Sequence, residues 1–230
     1  MKNLFAFIVV FVAASMLACQ DGKDESGAVV HDLSFYKNIG TQIPVETGMR
    51  WLETYKKKNN TSGRTNTSGY AVSAELLSSS LNSVTGLAGV TFHHAIDDAG
   101  ERHIIIAPLD ESLTVWAPIP GRIYIDANTN APISRFKARE WAKNYEEAHP
   151  GEIQFHFFGS NIFDDISTIP FFTTLNIEPA INDLDQSPQL LLIVYNGDLV
   201  LDNSRVSSET MAIYDASSPC PPCPPVSEYQ

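Results

Sequence analysis

Two stretches of the chain carry the same aromatic and apolar residues in the same order. Three pairs of residues are 90 positions apart, namely Ile43 and Ile133, Trp51 and Trp141, and Tyr55 and Tyr145. Later apolar runs and turns correspond at separations of about 86 to 90 residues, a drift that short loop insertions produce. Because self-similarity at a fixed period indicates a duplicated unit, we expect two tandem repeats of about 90 residues, 43–132 and 133–223.

Each repeat begins with the pattern of an amphipathic helix. In the second repeat the apolar residues from 138 to 148 follow one helical face, Ser134 is a suitable N-cap, and the His-Pro-Gly sequence at 149–151 ends the helix. In the first repeat Met49 and Leu52 lie on the apolar stripe. A short helix is predicted next, at residues 73–81 in the first repeat and 160–166 in the second.

A β-hairpin and an extra strand complete each repeat, so the predicted fold class is α+β. In the first repeat, residues 90–96 alternate, the Asp-Asp-Ala-Gly sequence at 97–100 favours a turn, and the return strand is expected at 103–107. In the second repeat, the turn spans 182–188, and the return strand 189–195 is apolar enough to be central in its sheet. Further strands are expected at residues 113–117, 122–125 and 212–214.

The N-terminus has the features of an exported lipoprotein. Lys2 precedes an apolar run of about 15 residues, which is short for a bilayer span and typical of a signal peptide at residues 1–18. The run ends in Met-Leu-Ala-Cys at residues 16–19, which resembles a bacterial lipobox. The resemblance implies cleavage before Cys19 and lipid attachment to its thiol. The alternative is an ordinary signal peptide, cut near Ala18, with no role for the cysteine.

Residues 19–42 are expected to form the lipid anchor and a flexible tether. The acidic cluster that follows Cys19, residues 20–25, resembles the surface-export signal of Bacteroidota lipoproteins. This resemblance implies a protein of the cell envelope, held at the outer membrane through lipid and facing either the surface or the periplasm.

The charge of the chain excludes one class of partner. Fifteen lysines and arginines stand against 27 aspartates and glutamates, a formal net charge of −12 at pH 7. Nucleic-acid binding relies on basic surfaces, so we expect no nucleic-acid partner. A protein or glycan partner is expected instead. No phosphate-cradling glycine loop or dinucleotide fingerprint occurs, so no cofactor is predicted.

Two local motifs carry chemistry, and the first is the pair Cys220 and Cys223. In an oxidising compartment two cysteines this close favour a local disulfide. The alternatives are a thiol redox pair, half of a zinc site, or thiols that are unpaired or pair with another molecule. A redox motif would open a helix, whereas Pro224 and Pro225 follow here and the tail 224–230 is predicted to be disordered. No second cysteine pair is present to complete a zinc site.

The second motif is the group of His93, His94 and His103 on the first predicted hairpin. A four-residue turn sets His94 opposite His103, whereas a three-residue turn sets His93 opposite it. Either pair can bind a metal with Glu101 or Asp98 as third ligand. The alternative is that His94, on an apolar strand face, is a core histidine. The second repeat has no equivalent histidines.

The second repeat, 133–223, also resembles a known group of sequences. It contains His-Phe-Phe-Gly at 156–159 and ends in a Cys-Pro-rich tail at 219–223. Both features resemble a group of short Bacteroidota proteins that has no assigned activity, so the resemblance implies no function.

The sequence therefore predicts an exported, membrane-anchored lipoprotein whose body is a non-catalytic binding or interaction module with no catalytic residues. One alternative is a metal-dependent hydrolase that uses His93, His94 and His103. The other is a thiol redox accessory protein that uses Cys220 and Cys223.

Overall fold

The computed structural model describes residues 32–59, 69–196, 211–215 and 218–220. The predicted signal peptide, Cys19, most of the tether and Cys223 lie outside these residues. Within them, no helix is both long and apolar enough to cross a bilayer.

The described chain contains both helices and antiparallel strands, which confirms the α+β class. The helices are α1 (Leu33–Lys37), α2 (Val45–Lys58), α3 (Ala74–Leu81), α4 (Arg135–Ala148) and α5 (Ser160–Ser167). The strands are β1 (Thr41–Ile43), β2 (Tyr70–Ser73), β3 (Gly89–Ile96), β4 (Arg102–Leu109), β5 (Tyr124–Asp126), β6 (Ala131–Ile133), β7 (Phe155–Gly159), β8 (Phe172–Ile181), β9 (Pro188–Asn196), β10 (Met211–Asp215) and β11 (Ser218–Cys220).

The strands form two sheets in which distant parts of the chain are neighbours. The first sheet has the order β1-β10-β9-β8-β2, and the second has the order β11-β7-β3-β4-β5-β6. The strand β9 lies at the centre of the first sheet, as its apolar sequence predicted. The meander β3-β4-β5 is flanked by β7 and β6, and the meander β8-β9-β10 is flanked by β2 and β1.

Three apolar clusters arrange these elements in layers. The largest lies between the sheets, where Phe92 and Phe158 of the second sheet share a cluster with Leu192 of the first. Helix α2 covers the outer face of the first sheet, and Trp51 packs there with Ile193. Helix α4 covers the outer face of the second sheet. Burial of both faces of both sheets explains why several strands are apolar throughout rather than alternating.

The two long helices formed where the sequence placed them. Ser134 caps α4 by accepting a hydrogen bond from the Lys137 N–H, at 3.3 Å, and His149 ends the helix. The stripe of α2 differs from the prediction, because Met49 is 39% exposed. Gly48 faces the sheet instead, where a Cβ would lie 2.7 Å from the Ile213 side chain, so α2 approaches the sheet closely.

Two predictions about local structure were wrong, one for residues 113–117 and one for the tether 19–42. Residues 113–117 form irregular structure with a turn at 115–116, not a strand, because the buried Arg122 guanidinium donates hydrogen bonds to the carbonyls of Thr114 and Val115, both at 2.9 Å. These carbonyls are therefore engaged by a side chain instead of a neighbouring strand. The predicted tether 19–42 is ordered toward its end, since α1 and β1 lie within it and Tyr36 is buried.

Candidate functional site

The turn of the β3–β4 hairpin determines where its histidines lie. Residues 97–101 form a five-residue loop, so His103 pairs with Ala95, and His94 pairs with Ile104. Both predicted histidine pairings were therefore wrong. The longer loop is stabilised by the Asp97 carboxylate, which accepts hydrogen bonds from the N–H groups of Ala99 and Glu101 at 2.9 and 2.7 Å. The sequence signal for this Asx-type turn was Asp97 itself.

His93 is a core residue and lines neither of the two cavities described for this structure. It is 1% exposed, and its ring packs against Trp116 and Phe155 with centroid separations of 5.0 and 4.7 Å. Burial, with a smaller contribution from His94, lowers the pKa of His93 to about 3, so the ring is neutral at physiological pH.

His103 is buried beside carboxylates. Its Nδ1 atom lies 3.0 Å from Oδ1 of the buried Asp126, and its ring packs on Trp141 at 4.7 Å. The other oxygen of Asp126 accepts a hydrogen bond from Thr129 Oγ1 at 2.8 Å. This support orients the imidazole so that Nε2 faces the turn.

His94 lies in a cleft of about 560 Å³ that both hairpins line. The ends of both long helices also contribute, through Tyr55 and Lys58 of α2 and Tyr145 of α4. The volume falls within the range of small-molecule sites.

One wall of the cleft is polar and aromatic. The His94 ring stacks on Tyr145 with centroids 5.1 Å apart, and it meets the His156 ring edge-on at 5.9 Å. The Tyr145 hydroxyl donates a hydrogen bond to Glu152 Oε2 at 3.2 Å, and the Arg102 guanidinium carbon lies 6.0 Å from the Tyr145 ring. Five parts of the chain thus bring these groups together, namely β3, β4, α4, β7 and the segment that leads into β7.

The titratable groups of this wall are held in fixed protonation states. Burial and the Arg102 charge lower the pKa of His94 to about 4, and burial with a neighbouring His94 lowers the pKa of His156 to about 3. Burial and the Glu152 charge raise the pKa of Tyr145 to about 12. Both imidazoles are therefore neutral near pH 7, and the phenol is protonated.

The His156 ring has one polar atom without a partner. The side chain is 2% exposed, and among the described residues Nδ1 has no hydrogen-bond partner. A buried polar group without a partner costs free energy unless a water or a ligand satisfies it. His156 Nδ1 is therefore a candidate contact for a molecule in the cleft.

Another wall of the cleft comes from the β8–β9 hairpin and is mainly apolar. It consists of Pro179, Ala180, Ile181, Pro188 and Leu190, with Gln189 as its one polar member. At the rim, Arg102 and Lys58 bring positive charge, and no carboxylate of the described chain lies within 4.0 Å of the Arg102 guanidinium. The cleft thus joins a polar, aromatic wall, which carries both Arg102 and Glu152, to a mainly apolar one.

A second cavity of about 530 Å³ lies between α3 and α5. Leu77, Leu81 and Phe163 are among its apolar side chains, and Asp164 is the one charged residue of the described chain in its lining. Its polar side chains, Ser78, Asn82, Asp164 and Ser167, are all exposed, so none is a buried group that needs a ligand as its partner.

The Cys-Pro-rich tail lies beside β7, the strand that carries His156. Strand β11 pairs with β7 at the edge of the second sheet, and Pro219 lies opposite His156. Cys220 is the last residue of β11, whereas Cys223 lies outside the described residues, so the predicted disulfide stays a prediction.

The sequence did not identify His156, Tyr145, Arg102 and Glu152 as one group. The sequence pattern marks His156 only as part of the His-Phe-Phe-Gly block. All five residues of β7 are buried, so no alternation of polar and apolar positions distinguishes His156 from its neighbours. The contact with His94 depends on pairing between β3 and β7, which are about 60 residues apart, and no local pattern encodes that pairing.

Comparison of the chain with protein-family models, curated proteins and solved structures found no match.

Proposed function

We propose that the chain is an exported, lipid-anchored protein whose body binds a small ligand in the cleft between the two hairpins and does not transform it. The observation that carries this proposal is the buried His156 Nδ1, which lacks a partner in the described chain and belongs to a residue that lines a cleft with polar and apolar walls. Anchoring through Cys19 at the outer membrane, facing either the surface or the periplasm, is the part of the proposal that rests on sequence alone.

The chemistry of the walls favours an organic anion with an apolar body. Arg102 and Lys58 outnumber Glu152 among the charged residues of the lining, in a chain whose net charge is −12, and neutral His94 and His156 supply hydrogen-bonding atoms. The prolines and aliphatic side chains of the β8–β9 hairpin fit an apolar group. We therefore propose a small molecule in place of the protein or glycan partner expected from the sequence.

The contents of the cleft support binding over catalysis. Its described lining contains no serine, threonine or cysteine that a neighbouring base can activate. The pKa values of His94 and His156 lie well below 7, which makes both rings weak general bases near neutral pH.

The binding proposal can be tested with 8-anilinonaphthalene-1-sulfonate, a probe with an apolar ring system and one negative charge. Fluorescence titration of the mature protein should show saturable binding, and Arg102→Gln should weaken it about tenfold through loss of a charge-assisted hydrogen bond. Arg139→Gln is the matched control, because it removes the same charge from α4 outside the cleft. Equal effects of the two variants would contradict the proposal.

The anchor has a separate test. Cys19→Ala should release the protein from membranes or block its maturation, whereas Cys220→Ala should fractionate like the wild type. Mass spectrometry should find lipid on Cys19 of the wild-type protein. Unmodified wild-type protein and membrane-bound Cys19→Ala would together refute the anchor.

We further propose that the tandem repeats predicted at 43–132 and 133–223 are two interlocked copies, with boundaries that move two residues earlier, to 41 and 131. The order strand, helix, strand, helix and three strands occurs in both halves. Helices α2 and α4 have 14 residues each, with tryptophan in seventh place. Each three-stranded meander is flanked by two strands of the other half.

In an experimental structure, one rotation near 180° should exchange the halves, and the lack of such a rotation would contradict duplication.

A further inference from the structure

The turn of the β3–β4 hairpin carries a cluster of side chains that the proposed ligand cleft does not use. One ligand atom from each of Asp97, Glu101 and His103 lies within 4.8 Å of the others. Asp98, the other third ligand expected from the sequence, is engaged instead by Lys137 at 2.6 Å.

His103 is the buried member of this cluster, and one of its nitrogens has no hydrogen-bond partner. Its side chain is 5% exposed, and Nε2 has no hydrogen bond within the described chain. The nearest carboxylate oxygen is Asp97 Oδ2 at 3.6 Å, which is too long for a hydrogen bond. The polar edge of a buried ring is therefore directed at two carboxylates without a bond to either.

The opposite side of the ring has the support that metal-binding histidines require. Asp126 Oδ1 lies 3.0 Å from Nδ1, and Asn128 N–H and Thr129 Oγ1 donate hydrogen bonds to the Asp126 carboxylate. A carboxylate that accepts a hydrogen bond from the Nδ1–H group leaves the lone pair on Nε2 and fixes the direction in which it points.

The separations suit an ion between the ligands. Two atoms that each lie about 2.1 Å from a tetrahedral zinc ion are about 3.4 Å apart, close to the 3.6 Å between His103 Nε2 and Asp97 Oδ2. Asp97 is partly exposed and Glu101 is exposed, so an ion can enter from solvent. Three carboxylates around one imidazole also make the site electronegative, which favours a cation.

We propose that His103 Nε2, Asp97 and Glu101 bind one Zn²⁺ ion, with Asp126 as the residue that positions His103. Three protein ligands leave the fourth position of a tetrahedral ion to water. His93 and His94 are not ligands, since His93 is in the core and His94 is in the cleft.

The β8–β9 hairpin shows why the site is confined to one half. Gln189 is the second residue of β9, as His103 is of β4. Asp183, in the turn, already accepts hydrogen bonds from Arg50 Nε at 2.9 Å and Trp51 Nε1 at 2.8 Å. The Gln189 amide and the hydrogen-bonded Asp183 carboxylate therefore do not provide the β8–β9 hairpin with an equivalent set of ligands.

Calorimetric titration of the detergent-solubilised mature protein with zinc chloride tests the proposal. Cys220 and Cys223 are replaced by serine in every variant, so that thiols cannot bind the metal. We expect one Zn²⁺ per chain. Glu101→Gln, an exposed change that cannot disturb the core, and His103→Gln should each weaken binding at least tenfold, and Asp126→Asn should weaken it 10- to 100-fold.

Two matched variants provide the controls. His149→Gln removes a histidine next to a different carboxylate, Glu152, and Asp183→Asn changes the turn of the other hairpin. Both should keep the wild-type zinc affinity. Absence of zinc binding, or zinc affinity that Glu101→Gln and His103→Gln leave unchanged, would overturn the proposal and leave His103 as a histidine between two aspartates.

Discussion

The β3–β4 and β8–β9 hairpins occupy comparable places in the two sheets but carry different chemistry. Counted from their turns, His94, Arg102 and His103 of the first hairpin correspond to Pro179, Pro188 and Gln189 of the second. The first hairpin contributes His94 and Arg102 to the polar wall of the cleft and holds the proposed zinc ligands, whereas the second gives the mainly apolar wall. The same backbone frame thus supports either role, and the site chemistry lies in a few side chains.

Two aspartates, one beside each hairpin, show how this difference affects the stability of the fold. Asp126 pairs with His103, and Asp215 holds the comparable place on β10, opposite Leu191, where no histidine is present. Oδ1 of Asp215 has no hydrogen-bond partner in the described chain. Burial and the charge of Asp185 raise the pKa of Asp215 to about 6. The ionised Asp215 carboxylate, which has no histidine partner, is therefore expected to destabilise the fold.

The largest effect should come from separating the halves. Because each meander is flanked by strands of the other half, residues 32–128 and 129–230 expressed singly should be unfolded by circular dichroism. Co-expression should restore one soluble complex. A half that folds alone with a cooperative transition would show that the hairpins belong to independent units.

Asp126→Asn should destabilise the protein by about 2–4 kcal/mol, because it disrupts a buried pair with His103. Urea unfolding in the presence of EDTA measures this cost without metal. A loss below 0.5 kcal/mol, on the order of an exposed substitution, would show that the Asp126 carboxylate is dispensable for folding.

Asp215→Asn should have the opposite effect. The pKa of Asp215 is raised from 3.8 to about 6, so its favourable contribution is complete below pH 3.8 and is lost as the pH rises through 6. The substitution should therefore stabilise the protein by about 1–2 kcal/mol at pH 7. At pH 4 the effect should be small. Thermal unfolding at both pH values provides the measurement, and destabilisation at pH 7 would indicate a stabilising partner for the ionised carboxylate.

The smallest difference concerns the two helix tryptophans. Trp51 Nε1 donates a hydrogen bond to Asp183 at 2.8 Å, whereas the buried Nε1 of Trp141 has no partner within the described chain. Trp51→Phe should therefore cost about 1 kcal/mol more than Trp141→Phe in chemical unfolding. Equal costs would mean that the Trp51 hydrogen bond adds nothing to stability.

Local patterns predicted the elements but not the arrangement of the site. The cap at Ser134 and the apolar character of β9 were sufficient to place α4 and a central strand. The hairpin register was missed although its local signal, Asp97, is present in the sequence, because the five-residue turn forms only when the Asp97 carboxylate accepts hydrogen bonds from two backbone N–H groups. The cleft could not be predicted either, since His94 and His156 meet only through pairing of β3 with β7.

The location of ligand binding tests the central claim most directly. In ¹⁵N-labelled mature protein titrated with 8-anilinonaphthalene-1-sulfonate, amide shifts should change for Arg102, Gly151 and Ile153, which line the cleft. The amides of Leu81 and Ser167, at the cavity between α3 and α5, should not respond. Shifts confined to Leu81 and Ser167, or no shifts at saturating probe, would contradict the assignment of the cleft as the binding site.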